Sequence, residues 1–266
     1  MSQNMKVSSM TRQFIVTVTL VGIAAGFLSG LFGVGGGILI APGLVFLAKM
    51  DHRRAHGTSL AAVLPIALSS MITYWTHDHI DWPVTLCLTL GAIVGAVIGT
   101  HFLNVVPQRT LAIGFAGLLV VSAIRLFFEG EGVGRSPLDV IGIIVLVLIG
   151  LASGILAGLL GVGGGIIMVP AMLVFFSIPS VVAKGTSLAV IVPTALMGTL
   201  RNRKNSNVDI RAAAIIGIAG IVAAIGGAWF STRLSDTASN VLFACLMLAV
   251  ASKMLWQERS KISTKH

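Results

Sequence analysis

Residues 26–38 read GFLSGLFGVGGGI, and residues 154–166 read GILAGLLGVGGGI. The two stretches agree at ten of thirteen positions with no gap. Each is an apolar helical run that meets a cluster of glycines: Gly33, Gly35, Gly36 and Gly37 in the first, Gly161, Gly163, Gly164 and Gly165 in the second. Glycine in a helix interior costs stability relative to alanine, so a doubled cluster predicts a deliberate break.

The same offset extends in both directions. It pairs Pro42 with Pro170, residues 55–61 (AHGTSLA) with 183–189 (AKGTSLA), Pro65 with Pro193, Asp81 with Asp209, and Gly99 with Gly227. The chain is therefore one unit at 12–128 and a copy at 140–256, joined by a polar, Gly-rich connector at 129–139. Transporters are often built from internal repeats of this kind.

Composition sets the class. Hydrophobic residues make up 56% of the chain and charged ones only 10%, with a mean hydropathy of +0.98, whereas soluble domains run near a quarter charged. Runs at 14–32, 84–106, 140–160 and 212–230 approach or exceed the ~20 residues a helix needs to cross hydrocarbon. They are apolar on every face, unlike the alternating strands of a membrane barrel. The expected fold is an all-α integral membrane protein. The net charge of +9 sits in short loops and tails, where it reports topology and not a nucleic-acid surface. Cys87 and Cys245 match no metal or redox spacing and read as buried packing residues. Residues 14–25 follow Lys6 and Arg12 as a signal peptide would, but the repeat contains them, so they read as retained.

The pattern predicts helices near 12–33, 37–48, 57–76, 82–104 and 108–127, and again near 140–161, 165–176, 185–200, 209–232 and 236–255. If each glycine break folds its two helices into a hairpin that returns the chain, every unit holds an odd number of segments and the two insert upside down. Lys and Arg then divide fourteen inside to four outside (Arg125, Arg135, Lys184 and Arg233); simple loops would give twelve to six. Cytoplasmic loops are enriched in Lys and Arg, so the expectation is two inverted repeats, about 8 to 10 segments in the cell membrane, with both termini cytoplasmic.

Two readings of the breaks are open. In one, the start of each short helix presents unpaired N–H groups and a positive dipole end to an anion, in backbone that survives in a membrane only beside protein or a wet cavity. In the other, the glycines let helices pack closely, the reading favoured for Gly26 and Gly30. Thr58 and Ser59 with Thr186 and Ser187 are either further substrate donors or plain N-caps. Pro65 and Pro193 lie inside spans as hinges or static kinks. His56 and Lys184 occupy equivalent positions as candidate gating cations, with a snorkelling lysine the competing account of Lys184. Residues 77–81 (HDHID) carry ligand-type side chains in a connecting loop, where Asp81, like Asp209, reads as a helix cap; no metal is expected.

No ionisable residue falls near the centre of an assigned span, so backbone and hydroxyl groups would hold the substrate, which suits a small anion. A coupling proton or ion is left open, with His101 the one candidate proton carrier. Oligomeric state is not readable. No membrane-enzyme motif such as His-Glu-x-x-His is present; a passive anion channel is the alternative to a transporter.

With both Gly-Val-Gly-Gly-Gly breaks, the prolines after them and the paired Gly-Thr-Ser-Leu-Ala elements in view, residues 12–256 resemble the sulfite exporter TauE/SafE family of membrane transporters. The resemblance implies movement of sulfur-containing or organic anions: sulfite, sulfonates such as sulfoacetate, or thiosulfate. It points to Gly33, Gly35, Gly36, Gly37, Thr58 and Ser59 and their second-half partners as substrate-binding residues, without extending to His56 or Lys184.

Overall fold

The computed structural model describes residues 2–102, 116–117, 119–121, 123–124 and 137–263. Most of the helix expected at 108–127, the connector over 129–136 and the loop residues Arg109, Arg125 and Arg135 lie outside the described residues. Within them the chain is helical, with no strand. The helices are α1 (Ser2–Phe32), α2 (Gly37–Phe46), α3 (His52–Trp75), α4 (Trp82–Phe102), α5 (Val140–Leu160), α6 (Gly165–Phe176), α7 (Ser180–Lys204), α8 (Ile210–Ser231) and α9 (Asp236–Ser263). Six described helices are long and apolar enough to cross a membrane: α1, α3, α4, α5, α7 and α8. Their outward faces are those of a lipid-bathed protein, with Ile218 70% and Val222 77% exposed on α8.

α3 and α7 begin five residues before the expected starts at 57 and 185. Asp51 caps α3, its carboxylate accepting from the Arg53 N–H at 3.0 Å, and Pro179 precedes α7 with its fixed φ. Asp81 and Asp209 do cap the helices after them: Asp81 accepts from the Val84 N–H at 3.2 Å and Asp209 from the Ala212 N–H at 3.0 Å.

Small residues decide which helices meet. Gly22, Gly26 and Gly30 on α1 lie against the backbone of Ile216, Gly220 and Ala224 on α8, and Gly150, Gly154 and Gly158 on α5 lie against Leu88, Ala92 and Ala96 on α4. A Cβ on any of the six would meet a carbonyl oxygen, at 2.6 Å for Gly22 and 2.8 Å for Gly158. These are close-packed small-xxx-small faces. Both helix pairs run parallel, because position advances together along the two members. α3 also runs parallel to α8, with Gly57 against Asn207 and Pro65 against Gly217. α7 runs parallel to α4, from Gly185 against His79 to Arg201 Nη1 against the Val97 carbonyl at 3.4 Å. α3 and α7 themselves run antiparallel: Asn202 packs on Gly57 and Tyr74 on Gly185.

The result is an exchange of helices between the repeats. α1–α3 of the first unit hold α8 of the second, and α5–α7 of the second hold α4 of the first. The antiparallel α3/α7 contact joins the two groups. One end of the bundle collects the start of α3, the end of α7 and the start of α8, and with them Lys49, Arg53, Arg54, Arg201, Arg203, Lys204 and Arg211. There Arg54 pairs with Asp209 at 2.8 Å. The opposite end carries Trp75 and Trp82, edge to face at 5.8 Å, and Arg233 stacked 3.8 Å over Trp229.

Candidate substrate site at the paired breaks

Phe32 ends α1 and Leu160 ends α5; in both, the chain then turns through glycines that L side chains could not follow. Gly33, Gly35 and Gly36 have φ of 70°, 80° and 75°, and Gly161, Gly163 and Gly164 have 68°, 90° and 82°. These are left-handed values, available to glycine at little steric cost. Gly37 and Gly165 are glycine for another reason. As the first residues of α2 and α6, each packs on the opposite break, where a Cβ would sit 2.5 Å from the Gly161 or the Gly33 carbonyl oxygen.

The two breaks are thus brought together in the protein interior. Residues 29–38 and 161–166 are buried throughout, and Gly35 and Gly163 both lie against Val63 and Ile191, near the middles of α3 and α7. The N-cap positions, Gly36 and Gly164, carry no side-chain cap, so the free N–H groups of both short helices start in one buried region.

The Gly-Thr-Ser elements meet the same region, but not as helix starts or N-caps. They lie inside α3 and α7, and their hydroxyls bond across the repeats. Ser59 Oγ donates to the Gly161 carbonyl at 2.8 Å and Ser187 Oγ to the Gly33 carbonyl at 2.7 Å, satisfying the first carbonyls beyond α5 and α1. Thr58 Oγ1 accepts from the Asp209 N–H, and Thr186 Oγ1 from the Asp81 N–H, both at 2.9 Å. Each hydroxyl ties its unit to a helix end of the exchanged partner.

His56 and Lys184 pack on the breaks symmetrically and behave differently. His56 lies against Gly161, with Nδ1 2.5 Å from the Leu160 carbonyl oxygen, and is half-buried. Lys184 lies against Gly33, with no exposed surface. Its ammonium donates to Ser231 Oγ at the end of α8, at 2.9 Å, and to Ser239 Oγ on α9. The snorkelling reading of Lys184 is therefore overturned. The early start of α7 puts the residue within a helix, and α9 covers it. The burial of this ammonium, which the sequence offered only as a candidate gating cation, was signalled by Pro179, whose position fixes where α7 begins.

Pro65 and Pro193 lie inside α3 and α7, and Pro42 and Pro170 inside α2 and α6. Pro65 packs on Gly217 of the exchanged α8. The cysteines differ from expectation: Cys87 is only partly buried, packed against the edge of the core, and Cys245 is exposed. His77 and His79 stack with ring centroids 6.1 Å apart in the α3–α4 loop, and among the described residues no three metal-ligating side chains converge.

The duplicated, helix-exchanged bundle with two broken helices at its centre defines the class: a polytopic membrane protein of transporter architecture. The family model for sulfite exporter TauE/SafE matches residues 2–126 and 146–266, and the chain belongs to that family. It is 28% identical over 245 residues to "Probable membrane transporter protein YunE" of Bacillus subtilis, covering 83% of this chain and 86% of that one. It is 27% identical over 255 residues to a "Probable membrane transporter protein" of Xylella fastidiosa, covering 93% and 97%. A third relative, "Probable membrane transporter protein MJ0441" of Methanocaldococcus jannaschii, is 28% identical over 189 residues, 68% of this chain and 69% of that one. The protein is a membrane transporter of the TauE/SafE family.

Proposed function

We propose that the protein moves a small sulfur-containing or organic anion, of the class of sulfite, thiosulfate or a sulfonate such as sulfoacetate, across the cell membrane by alternating access. The anion is held at the paired breaks by the N–H groups that open α2 and α6, with Gly33, Gly35, Gly36, Gly37, Gly161, Gly163, Gly164 and Gly165 shaping the cradle. The observation that carries this reading is the meeting of two uncapped helix starts in one buried region, a place where free N–H groups and two positive dipole ends favour an anion. The family's description as a sulfite exporter supports the substrate class.

The moving bodies are not the two sequence repeats. Helix exchange makes one body of α1, α2, α3 and α8 and the other of α4, α5, α6 and α7, and they rock on the α3/α7 crossing, where Pro65 and Pro193 are the hinge candidates. His56 and Lys184, each packed beside a break, are the gating cations. The repeats insert upside down, which the antiparallel run of α3 and α7, equivalent helices of the two units, supports. The short helices are re-entrant. The basic end of the bundle, and the start of α1 with it, faces the cytoplasm, a reading supported by its concentration of Lys and Arg.

Uptake of radiolabelled sulfite, thiosulfate and sulfoacetate into proteoliposomes tests the reading, with and without a pH gradient. The expected result is saturable uptake of at least one anion by the wild type, abolished in Gly36→Leu and Gly164→Leu protein that still purifies as a monodisperse species. Normal transport by the leucine variants would reduce the breaks to packing devices.

A further inference from the structure

The two breaks are not chemically equal. Beside the second, Ala157 in the last turns of α5 lines an apolar crevice with Val162, Gly164 and Ile166, set against the first turn of α6. The 128-residue offset that superposes the repeats places Ser29 where Ala157 stands, and Gly36 and Ile38 where Gly164 and Ile166 stand. The equivalence extends to the local packing: a Cβ on Gly36 would lie 2.7 Å from the Ala25 carbonyl oxygen, as one on Gly164 would lie 3.0 Å from that of Ser153. Ser29 is fully buried, and its hydroxyl has no hydrogen-bond partner among the described residues. By contrast, the neighbouring buried hydroxyls of Ser59 and Ser187 are satisfied by break carbonyls.

A buried hydroxyl without a partner costs about 1–3 kcal/mol and calls for an explanation. We propose that the first break is the polar half of the binding region and that the Ser29 hydroxyl donates to the anion held at the start of α2, making Ser29 a specificity-determining residue. This rests on the anion reading of the breaks. A bound oxyanion would give this hydroxyl the acceptor that the surrounding side chains and backbone do not. It favours a ligand that brings oxygen acceptors and little bulk, such as an oxyanion or a sulfonate head, over a halide of the same charge. Ala157 offers no hydroxyl at the equivalent place in the second break, where the nearby Ser153 hydroxyl is already bonded to the Gly150 carbonyl at 2.9 Å.

The test pairs binding with stability. Substrate KM in proteoliposomes is compared for the wild type, Ser29→Ala and Ser70→Ala, the last a second buried, unpartnered hydroxyl on α3 used as control. The unfolding midpoint is read for each protein with and without sulfite and thiosulfate. A hydrogen bond lost from a charged ligand weakens binding by about tenfold or more. Ser29→Ala is therefore expected to raise KM about tenfold and to lose most of the anion-dependent rise in midpoint. Its midpoint without anion should stay level or rise, since an unsatisfied group has been removed; Ser70→Ala should keep the wild-type KM. An active wild type whose KM is unchanged by Ser29→Ala overturns this inference and leaves the anion reading standing. A KM increase matched by a lowered ligand-free midpoint also overturns it, by making Ser29 structural. A wild type that neither transports nor is stabilised by any of the anions overturns both.

Discussion

Hydroxyl groups and glycines carry this fold at the scale of single residues. Ser59 and Ser187 give their protons to the Gly161 and Gly33 carbonyls, within stretches, 161–166 and 29–38, that are buried throughout. Removing either hydroxyl leaves a buried acceptor unpaired, at a cost of about 1–3 kcal/mol. Ser59→Ala and Ser187→Ala are each expected to lower the thermal midpoint in detergent, and an unchanged midpoint in both would show that the breaks are not held by these bonds. At the packing glycines the effect is larger. A side chain at Gly26 would enter the Gly220 backbone, so Gly26→Leu is expected to abolish folded, membrane-inserted protein, measured as loss of the monodisperse peak on gel filtration. The doubling of the glycine cluster was enough to place the breaks from sequence, because left-handed backbone and close approach both demand the same residue. The partners of the hydroxyls were not legible: which carbonyl Ser59 meets depends on a contact between residues 102 apart.

Helix ends are the second scale. Asp209 both caps α8 and meets Arg54 at 2.8 Å. A lost cap costs about 1 kcal/mol, whereas an ion pair with one partner as exposed as Arg54, 55%, contributes between nothing and about 1 kcal/mol and weakens with salt. Asp209→Ala is therefore expected to destabilise more than Arg54→Ala, and only the Arg54 effect should shrink at 1 M salt; equal losses would mean that the ion pair and not the cap is what matters. Most helix boundaries were readable because long apolar runs end at Gly, Pro or Asp. Besides α1 and α9, which begin at Ser2 and end at Ser263 and so run past the expected 12 and 255 into polar tails, the exceptions are α3 and α7, which start in sequence that looks like loop, with His52, Arg53 and Arg54 at one start and a short Ser-Ile-Pro-Ser segment before the other. Their first turns are polar because they lie at the bundle ends, so hydropathy delays the apparent start. That delay also hid Lys184, which reads as a loop cation and is a buried helical one.

Across the whole molecule, charge is sorted by end. Arg203 and Lys204 close α7 at the basic end, while Arg233 follows α8 at the tryptophan end. In intact cells expressing cysteine variants on a background lacking Cys87 and Cys245, an impermeant maleimide is expected to label Arg233→Cys and to miss Arg203→Cys until the membrane is opened. The reverse pattern would invert the proposed topology, and labelling of both from one side would refute it. The repeat, the helical class and the broken helices were all open to sequence inspection, since periodicity and self-similarity survive without coordinates. Helix exchange was not, because the glycine stripes on α1 and α5 announce close partners without saying which helix answers them.

That exchange has a consequence for how the protein is made. The groove that α1 offers through Gly22, Gly26 and Gly30 is filled by α8, so the ribosome must make the six described helices between them before α1 finds its mate. Until then a small-residue stripe on a newly inserted span faces lipid or a stand-in, and assembly has to wait for the last quarter of the chain. Neither half is expected to persist by itself in the bilayer, but the two halves supplied as separate polypeptides have all the surfaces needed to complete each other.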